Sequence, residues 1–281
     1  MLSAVAGNLT RAAIEAQPEW LREVPTEVRL PAGRVLFTGC GTSFHAAQTG
    51  GEAVQALDVV DGTGTLVALS HEGETWSTVE AVRRWSGPKW AVTAAPESTI
   101  ARLCEEVVVA APELEQSWCH TASYTCAVAT LAVLRGEDVS WLPDVVERAL
   151  GDPFPTSDHE RWLVAGDGAT WPTAQEAVLK LREGVHVPAE AHHTEQLLHG
   201  HLAAVDETVR AFVFAGARAD AAVAALEALG CDTTLVPAQH PVVDIVRFQL
   251  LTVDLADARG IDPDVIRRDD ERWVSARAAY R

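Results

Sequence analysis

Short apolar runs alternate with segments of helical spacing along most of this chain. Arg34–Thr38 (RVLFT) is an apolar run that leads straight into Gly39–Ser43 (GCGTS), and a helical pattern follows from Phe44 to about Leu57. Thr65–Leu69 (TLVAL) is a second buried run, ending in Ser70–Thr75 (SHEGET) and followed by a helix over Trp76–Trp85. Trp90–Ala94 and Glu106–Ala110 are further strands, and Thr121–Leu134 is a largely apolar helix. The prolines of Gly151–Pro155 mark a linker, after which the pattern restarts. Trp162–Ala165 runs into Gly166–Thr170 and a charged helix. Strand Ala211–Ala215, helix Ala219–Leu229, strand Thr233–Val236 and helix Val242–Arg259 complete the second half. Continuous apolar strands alternating with helices predict parallel sheets covered on both faces. The expected architecture is α/β, with two doubly wound halves over residues 33–150 and 151–262. A helical segment over 1–32, with Val5, Leu9, Ala12, Ala13 and Ile14 near helical spacing, precedes them. A charged tail over 263–281 packs on the surface or on a partner.

Composition narrows the function. A chain of 281 residues with 48% hydrophobic content is large enough to bury a core in each half. Its net charge of −18 excludes nucleic acid and anionic membrane surfaces as partners. No apolar run reaches the length of a membrane span, and the N-terminus lacks the basic and apolar regions of a secretory signal. Five widely spaced cysteines, with no C-x-x-C, read as reduced thiols in a cytoplasm and form neither a disulfide framework nor a zinc site.

In such sheets ligands bind outside the carboxyl ends of the strands. Gly39–Phe44 and Gly166–Thr170 offer small residues and backbone N–H groups at helix N-termini, and Ser70–Thr75 offers hydroxyls at another. Ordinary capped turns use the same residues. The first loop lacks the third glycine of a dinucleotide fingerprint and the G-K-S/T of a P-loop, so neither NAD nor ATP is expected.

The segment Pro172–Val205 carries the densest chemistry. Glu176, Lys180 and Glu183 stand at i, i+4 and i+7 and share one face of a 3.6-residue helix. A Glu-to-Lys pair of that spacing also supports any exposed helix by a few tenths of a kcal/mol. Only two lysines occur, Lys89 and Lys180, so a compact amine kept beside Arg182 suggests a specific use. His199 follows sixteen residues after Glu183. Two carboxylates, an amine and an imidazole in one cleft can move protons on a sugar. Glu176 raises the pKa of Glu183 and Lys180 lowers it, which leaves the net direction open. His199 and His201 make a tempting metal pair, but no carboxylates or thiolates stand at ligand spacing beside them, and no metal or other cofactor is expected.

The strings GCGTSFHAA, SHEGET, PTAQEAVLKLRE and AEAHHTEQLLHGHLAAV together resemble the sugar isomerase (SIS) domain proteins, and in particular the isomerase half of glucosamine-6-phosphate synthase. There the pattern runs GCGTS, SQSGET, EGALKLKE and AEAYxxxELKHGPLA. The likeness covers residues 33 to 265. It implies two flavodoxin-like halves and a homodimer with shared active sites. It implies proton transfer between C1 and C2 of an opened sugar phosphate or amino sugar phosphate. By position, Glu183 matches the base and His199 the ring-opening histidine, which the neighbouring subunit donates. Lys180 and Glu176 match the supporting pair. The sugar phosphate cradle maps to Cys40, Gly41, Thr42, Ser43, Ser70, Thr75 and Thr121, with His71, Glu72 and His120 at altered positions.

Four departures bear on the substrate. The chain begins Met1-Leu2 with no glutaminase segment ahead of the isomerase likeness, so glutamine-dependent amide transfer is not expected. The family's tail lysine, which forms a Schiff base, has no counterpart in RRDDERWVSARAAYR, and arginine forms no imine. Glu72 replaces a hydroxyl. A carboxylate at ~4–6 Å from a phosphate costs on the order of a few kcal/mol at an effective dielectric of about 20. Either Glu72 turns away, His71 offsets it as a cation, or the ligand is not a simple phosphomonoester. His120 replaces a serine and is a second source of positive charge. The short segment between the first two loops also predicts a trimmed first half. The expectation is a phosphosugar isomerase or aminosugar phosphate deaminase. The alternatives are a non-catalytic sugar phosphate sensor and a fructosamine-phosphate deglycase.

Overall fold

The computed structural model describes residues 7–279. Val5, counted above in the first helix, and the last two residues lie outside them. In chain order the elements are α1 (Asn8–Arg22), β1 (Val35–Gly39), α2 (Thr42–Gly50), β2 (Ala53–Gln55), β3 (Thr65–Leu69), α3 (Trp76–Arg84), β4 (Lys89–Thr93), α4 (Thr99–Leu103), β5 (Glu106–Val109), α5 (Ala122–Leu134) and α6 (Leu142–Leu150). The second half holds β6 (Arg161–Gly166), α7 (Trp171–Lys180), β7 (Ala189–His193), α8 (Thr194–Leu198), β8 (Val209–Phe214), α9 (Ala219–Ala228), β9 (Asp232–Val236) and α10 (Pro241–Arg259), and α11 (Glu271–Ala278) lies in the tail.

Both sheets are parallel. The first has the order β2-β1-β3-β4-β5 and the second β7-β6-β8-β9. The first is the flavodoxin order, and the second repeats it without the fifth strand. The expected trimming of the first half falls on a helix rather than a strand: only the short turn Ala56–Asp58 joins β2 to β3, while all five strands are kept. Two edge strands, β2 and β7, went unanticipated. The helix expected to reach Leu57 ends at Gly50, where Gly51 turns the chain at φ 147° into β2.

Burial alternates along the strands with period two. Phe37, Val67 and Leu69 face a central core, while Leu36, Leu66 and Ala68 pack beneath α3 against Val82 and Trp85. In the second sheet Leu163, Ala165, Ala211 and Val213 face outward beneath α9. The layer between the sheets is built by α2, α5, α7 and α10. Helix α5 is buried on nearly every side, which is why its sequence is apolar all round. Helix α1 closes this layer by packing on α5, α6 and α10.

The switch point of the first sheet lies between β1 and β3, so the GCGTS and SHEGET loops open side by side. A Cβ at Gly39 would lie 2.8 Å from the Ser43 carbonyl, so only glycine lets α2 start this close to β1.

Candidate active site

Helix α7 does not run on as an α-helix. Its last turn, Leu181–Val185, widens to a π-turn, so Glu183 stands one helical class away from the ideal spacing read from the sequence. The three charged groups still meet. Lys180 Nζ donates to Glu183 Oε2 at 2.7 Å and to the His120 carbonyl at 2.8 Å. Its third direction is shared by Thr42 Oγ1 at 3.3 Å and Glu176 Oε1 at 3.4 Å. Glu176 also receives the Thr42 hydroxyl at 3.1 Å and lies 2.8 Å from His45 Nδ1. The side chains of Glu176 and Lys180 are fully buried, while that of Glu183 is 27% exposed.

This is an electrostatic chain rather than a solvated face. Burial works against the Lys180 charge, but Glu183 and Glu176 outweigh it and raise its pKa. Burial likewise opposes ionisation of Glu176, and Lys180 and His45 overcome it, holding the carboxyl below its usual range. The buried pair is thus an ammonium and a carboxylate, and Glu183 is the one carboxylate of the three groups that reaches open space.

The cradle residues gather at the switch point, though unequally. Thr42, Ser43, Ser70, His71 and His120 line one cleft of about 360 Å³ with Ser123 and Tyr124. Ser70 Oγ accepts from Gly73 N at 3.1 Å and lies 3.2 Å from Thr75 Oγ1. Gly41 supplies the turn with φ 54°. The Cys40 thiol turns aside to Ser77 at 3.0 Å. Glu72 is exposed.

His71 does not act as the compensating cation considered above. Burial, then the neighbouring His120, lowers its pKa to about 4, and its Nε2 accepts the Glu115 N–H at 2.8 Å. The two imidazoles meet edge to face at 5.1 Å. A base with a depressed folded-state pKa stabilises the fold above its unfolded value and loses that contribution as protons bind. His71 therefore weakens the fold as pH falls from about 6.5 to about 4, by about 3 kcal/mol in total. Burial raises the pKa of Asp244 to about 6, which acts in the opposite sense over the lower part of that window. The informative comparison is between wild type and His71→Gln. In urea unfolding at pH 7.5 and 4.5, the variant is expected to lose less stability than the wild type on acidification. Equal losses would remove His71 as the cause.

Two residues of this region were missed in the sequence. His45 was passed over inside GCGTSFHAA, where its place one turn into α2 was the available signal. Glu115 is buried, and its carboxylate accepts Thr121 N and Oγ1 at 2.7 Å each and Ser123 N at 2.9 Å. The protein's own carboxylate thus occupies the start of α5, and Thr121, expected in the cradle, is committed to it.

His199 stands apart. Its side chain is 69% exposed, and its Nε2 lies 2.7 Å from Glu195 Oε1 at the end of α8. No hydrogen bond, ion pair or ring contact joins it to Glu176, Lys180 or Glu183 within the described residues. His201 stacks at 4.6 Å on His192 rather than pairing with His199.

Comparison with known proteins bears on this geometry. No family model matches the chain. It is 27% identical over 306 residues to a glutamine–fructose-6-phosphate aminotransferase (isomerizing) of Aeropyrum pernix, covering 83% of this chain and 50% of that protein. It is 27% identical to the protein of the same name from Pyrobaculum aerophilum, covering 92% of this chain and 54% of the relative. The chain therefore spans about half the length of the curated relatives it matches. Among solved structures, glucosamine-6-phosphate deaminase from Thermotoga maritima superposes with a TM-score of 0.76 at 18% identity, over 92% of this chain and 97% of that one. The C-terminal domain of the glucosamine-fructose-6-phosphate aminotransferase of Francisella tularensis gives 0.75 at 19% identity, over 92% and 98%. The Escherichia coli tagatose-6-phosphate ketose/aldose isomerase gives 0.75 at 17%, over 94% and 96%. Fold and sequence likeness together give the chain two flavodoxin-like halves with the fold of these phosphosugar isomerase and deaminase structures. It resembles the isomerase half of the aminotransferases.

Proposed function

We propose that the chain moves a proton between C1 and C2 of an opened sugar phosphate or amino sugar phosphate, as an isomerase or deaminase. The observation that carries this reading is the Lys180 ammonium clamped between buried Glu176 and solvent-reaching Glu183. Glu183 takes the C2 proton and returns it to C1. Lys180 holds Glu183 in place through the 2.7 Å hydrogen bond. Glu176, tied to His45 and Thr42, is the positioning group that keeps Lys180 protonated. Thr42, Ser43, Ser70 and Thr75 bind the sugar's distal end. In this reading His199 opens the ring from a second copy of the chain, which accounts for its exposure. The protein is then a homodimer with shared sites. Residues 263–281 contain no lysine, so that segment supplies no imine.

The test is proton NMR in D2O with a panel of hexose and aminohexose 6-phosphates. At least one C2 proton is expected to exchange on addition of the protein. If a panel member raises the melting temperature but none exchanges, the chain is a binding protein, a sensor rather than an enzyme. If none binds and none exchanges, the sugar phosphate reading falls.

A further inference from the structure

Glu183 borders a different, wider space from the Ser70 cleft. Between the π-turn and the tail lies an open cleft of about 1210 Å³, walled by Arg182, Arg267, Arg268 and Arg277 with Glu183 and His186. The whole chain carries a net charge of −18, yet this wall sets four guanidiniums against one carboxylate. The acids that follow in sequence offset it only in part, Asp270 acting on Arg267 and Asp269 on His186. Asp270 is turned to Arg272, accepting its N–H at 3.0 Å and pairing with its guanidinium at 3.5 Å, and Asp269 is exposed. Arg182, Arg267 and Arg277 form no ion pair among the described residues.

The backbone is bent to present these groups. His186, Ile266 and Arg267, at φ 60°, 40° and 57°, are the only non-glycine residues with positive φ among those described, and all three line this cleft. For a β-branched residue such as Ile266 this is a genuine outlier, and such strain collects at functional sites. Arg277 clamps the turn by donating to the Ile266 carbonyl at 2.6 Å and the Arg267 carbonyl at 3.3 Å. The Arg267 guanidinium lies 4.1 Å from the Trp273 ring centre and the Arg268 guanidinium 3.4 Å from that of Trp118, so both are held in place by stacking. The His186 Nε2 is buried without a hydrogen-bond partner.

Fixed, planar guanidiniums such as those of Arg182 and Arg267 are the recognition chemistry of carboxylate and phosphate. We propose that this cleft binds an anionic group of the substrate, a carboxylate or a phosphate, carried on the side of the sugar that faces Glu183. The inference rests on the proton-transfer reading and names its substrate class: a sugar derivative charged at the reacting end. The remainder of the sugar points to the Ser70 cleft.

Calorimetry with two ligand pairs tests this. Fructose 1,6-bisphosphate against fructose 6-phosphate probes a phosphate, and N-fructosylglycine against 1-deoxy-1-methylaminofructose probes a carboxylate. In at least one pair the ligand with the extra anion is expected to bind ten-fold or more tightly. Arg267→Gln and Arg182→Gln are each expected to bring that ratio near one. Arg182→Gln spares the clamp, since the only bond of Arg182 is a 3.5 Å one to the Ala189 carbonyl. Arg272→Gln, an arginine of the same segment outside the cleft wall, is expected to keep the preference. Equal binding within both pairs, or a preference that survives both variants, overturns the proposal. If no sugar binds at all, the proton-transfer reading has failed separately, and inorganic phosphate decides the cleft. A rise in melting temperature with phosphate that both variants lose keeps the anion site. A rise they retain, or no rise, removes it.

Discussion

Exchange of a substrate's C2 proton with D2O is expected to fall by about 10²- to 10⁴-fold in Glu183→Gln, the range a positioned general base contributes. The substitution is a clean one. Glutamine is close in size to glutamate, and its carbonyl can still accept from Lys180 Nζ, now 2.7 Å from the carboxylate. What it loses is the ability to take a proton. Exposure decides which carboxylate to change, because Glu176 is fully buried and Glu183 is not. Urea unfolding of the variant should stay within about 1 kcal/mol of wild type, since a partly exposed pair contributes little. Exchange that continues at the wild-type rate in a folded variant would take the base assignment away from Glu183.

The second large effect is on stability. Lys180→Met is expected to cost about 3–5 kcal/mol, the penalty for leaving a buried charge without its partner. Glu176 would keep the Thr42 hydroxyl and His45, and the His120 carbonyl would lose its donor. Pairing the change with Glu176→Gln removes the stranded charge, so the double variant should recover part of the loss, a coupling that marks direct interaction. Urea titration of the two single variants and the double variant measures it. A Lys180→Met cost under about 1 kcal/mol would mean that the ammonium is dispensable to the fold.

The alternation of apolar runs and helices was legible because each strand is buried on both faces and each spans enough residues to show it. The two half-repeats followed from that alone. Strands β2 and β7 escaped because edge strands are short and half polar, as in Ala189–His193. Helices α4 and α8, five residues each, are too brief to show a period. Within the site, Glu176, Lys180 and Glu183 were readable because one helix carries them. His45 was not, since its partner Glu176 lies 131 residues away, and Glu115 sits in an irregular loop where nothing sets one acid apart from the next. The arginine wall was read as a charged tail, because only the left-handed turn at Ile266 and Arg267 gathers those side chains around one space.

Helix α1 is tied to the far end of the chain. Asp264 accepts from Thr10 N at 2.8 Å and from its hydroxyl at 2.6 Å, and Gln17 reaches Gln249 at 2.9 Å. Contacts across more than two hundred residues wait until α10 and Asp264 have been made, so α1 can lie on α5 and α6 before its ties to Gln249 and Asp264 close. The same aspartate precedes Ile266 by two residues. The arginine-lined turn is therefore fastened by a contact of long sequence separation, and an assembly intermediate without the Asp264–Thr10 tie would have both half-sheets in place but no fixed wall beside Glu183.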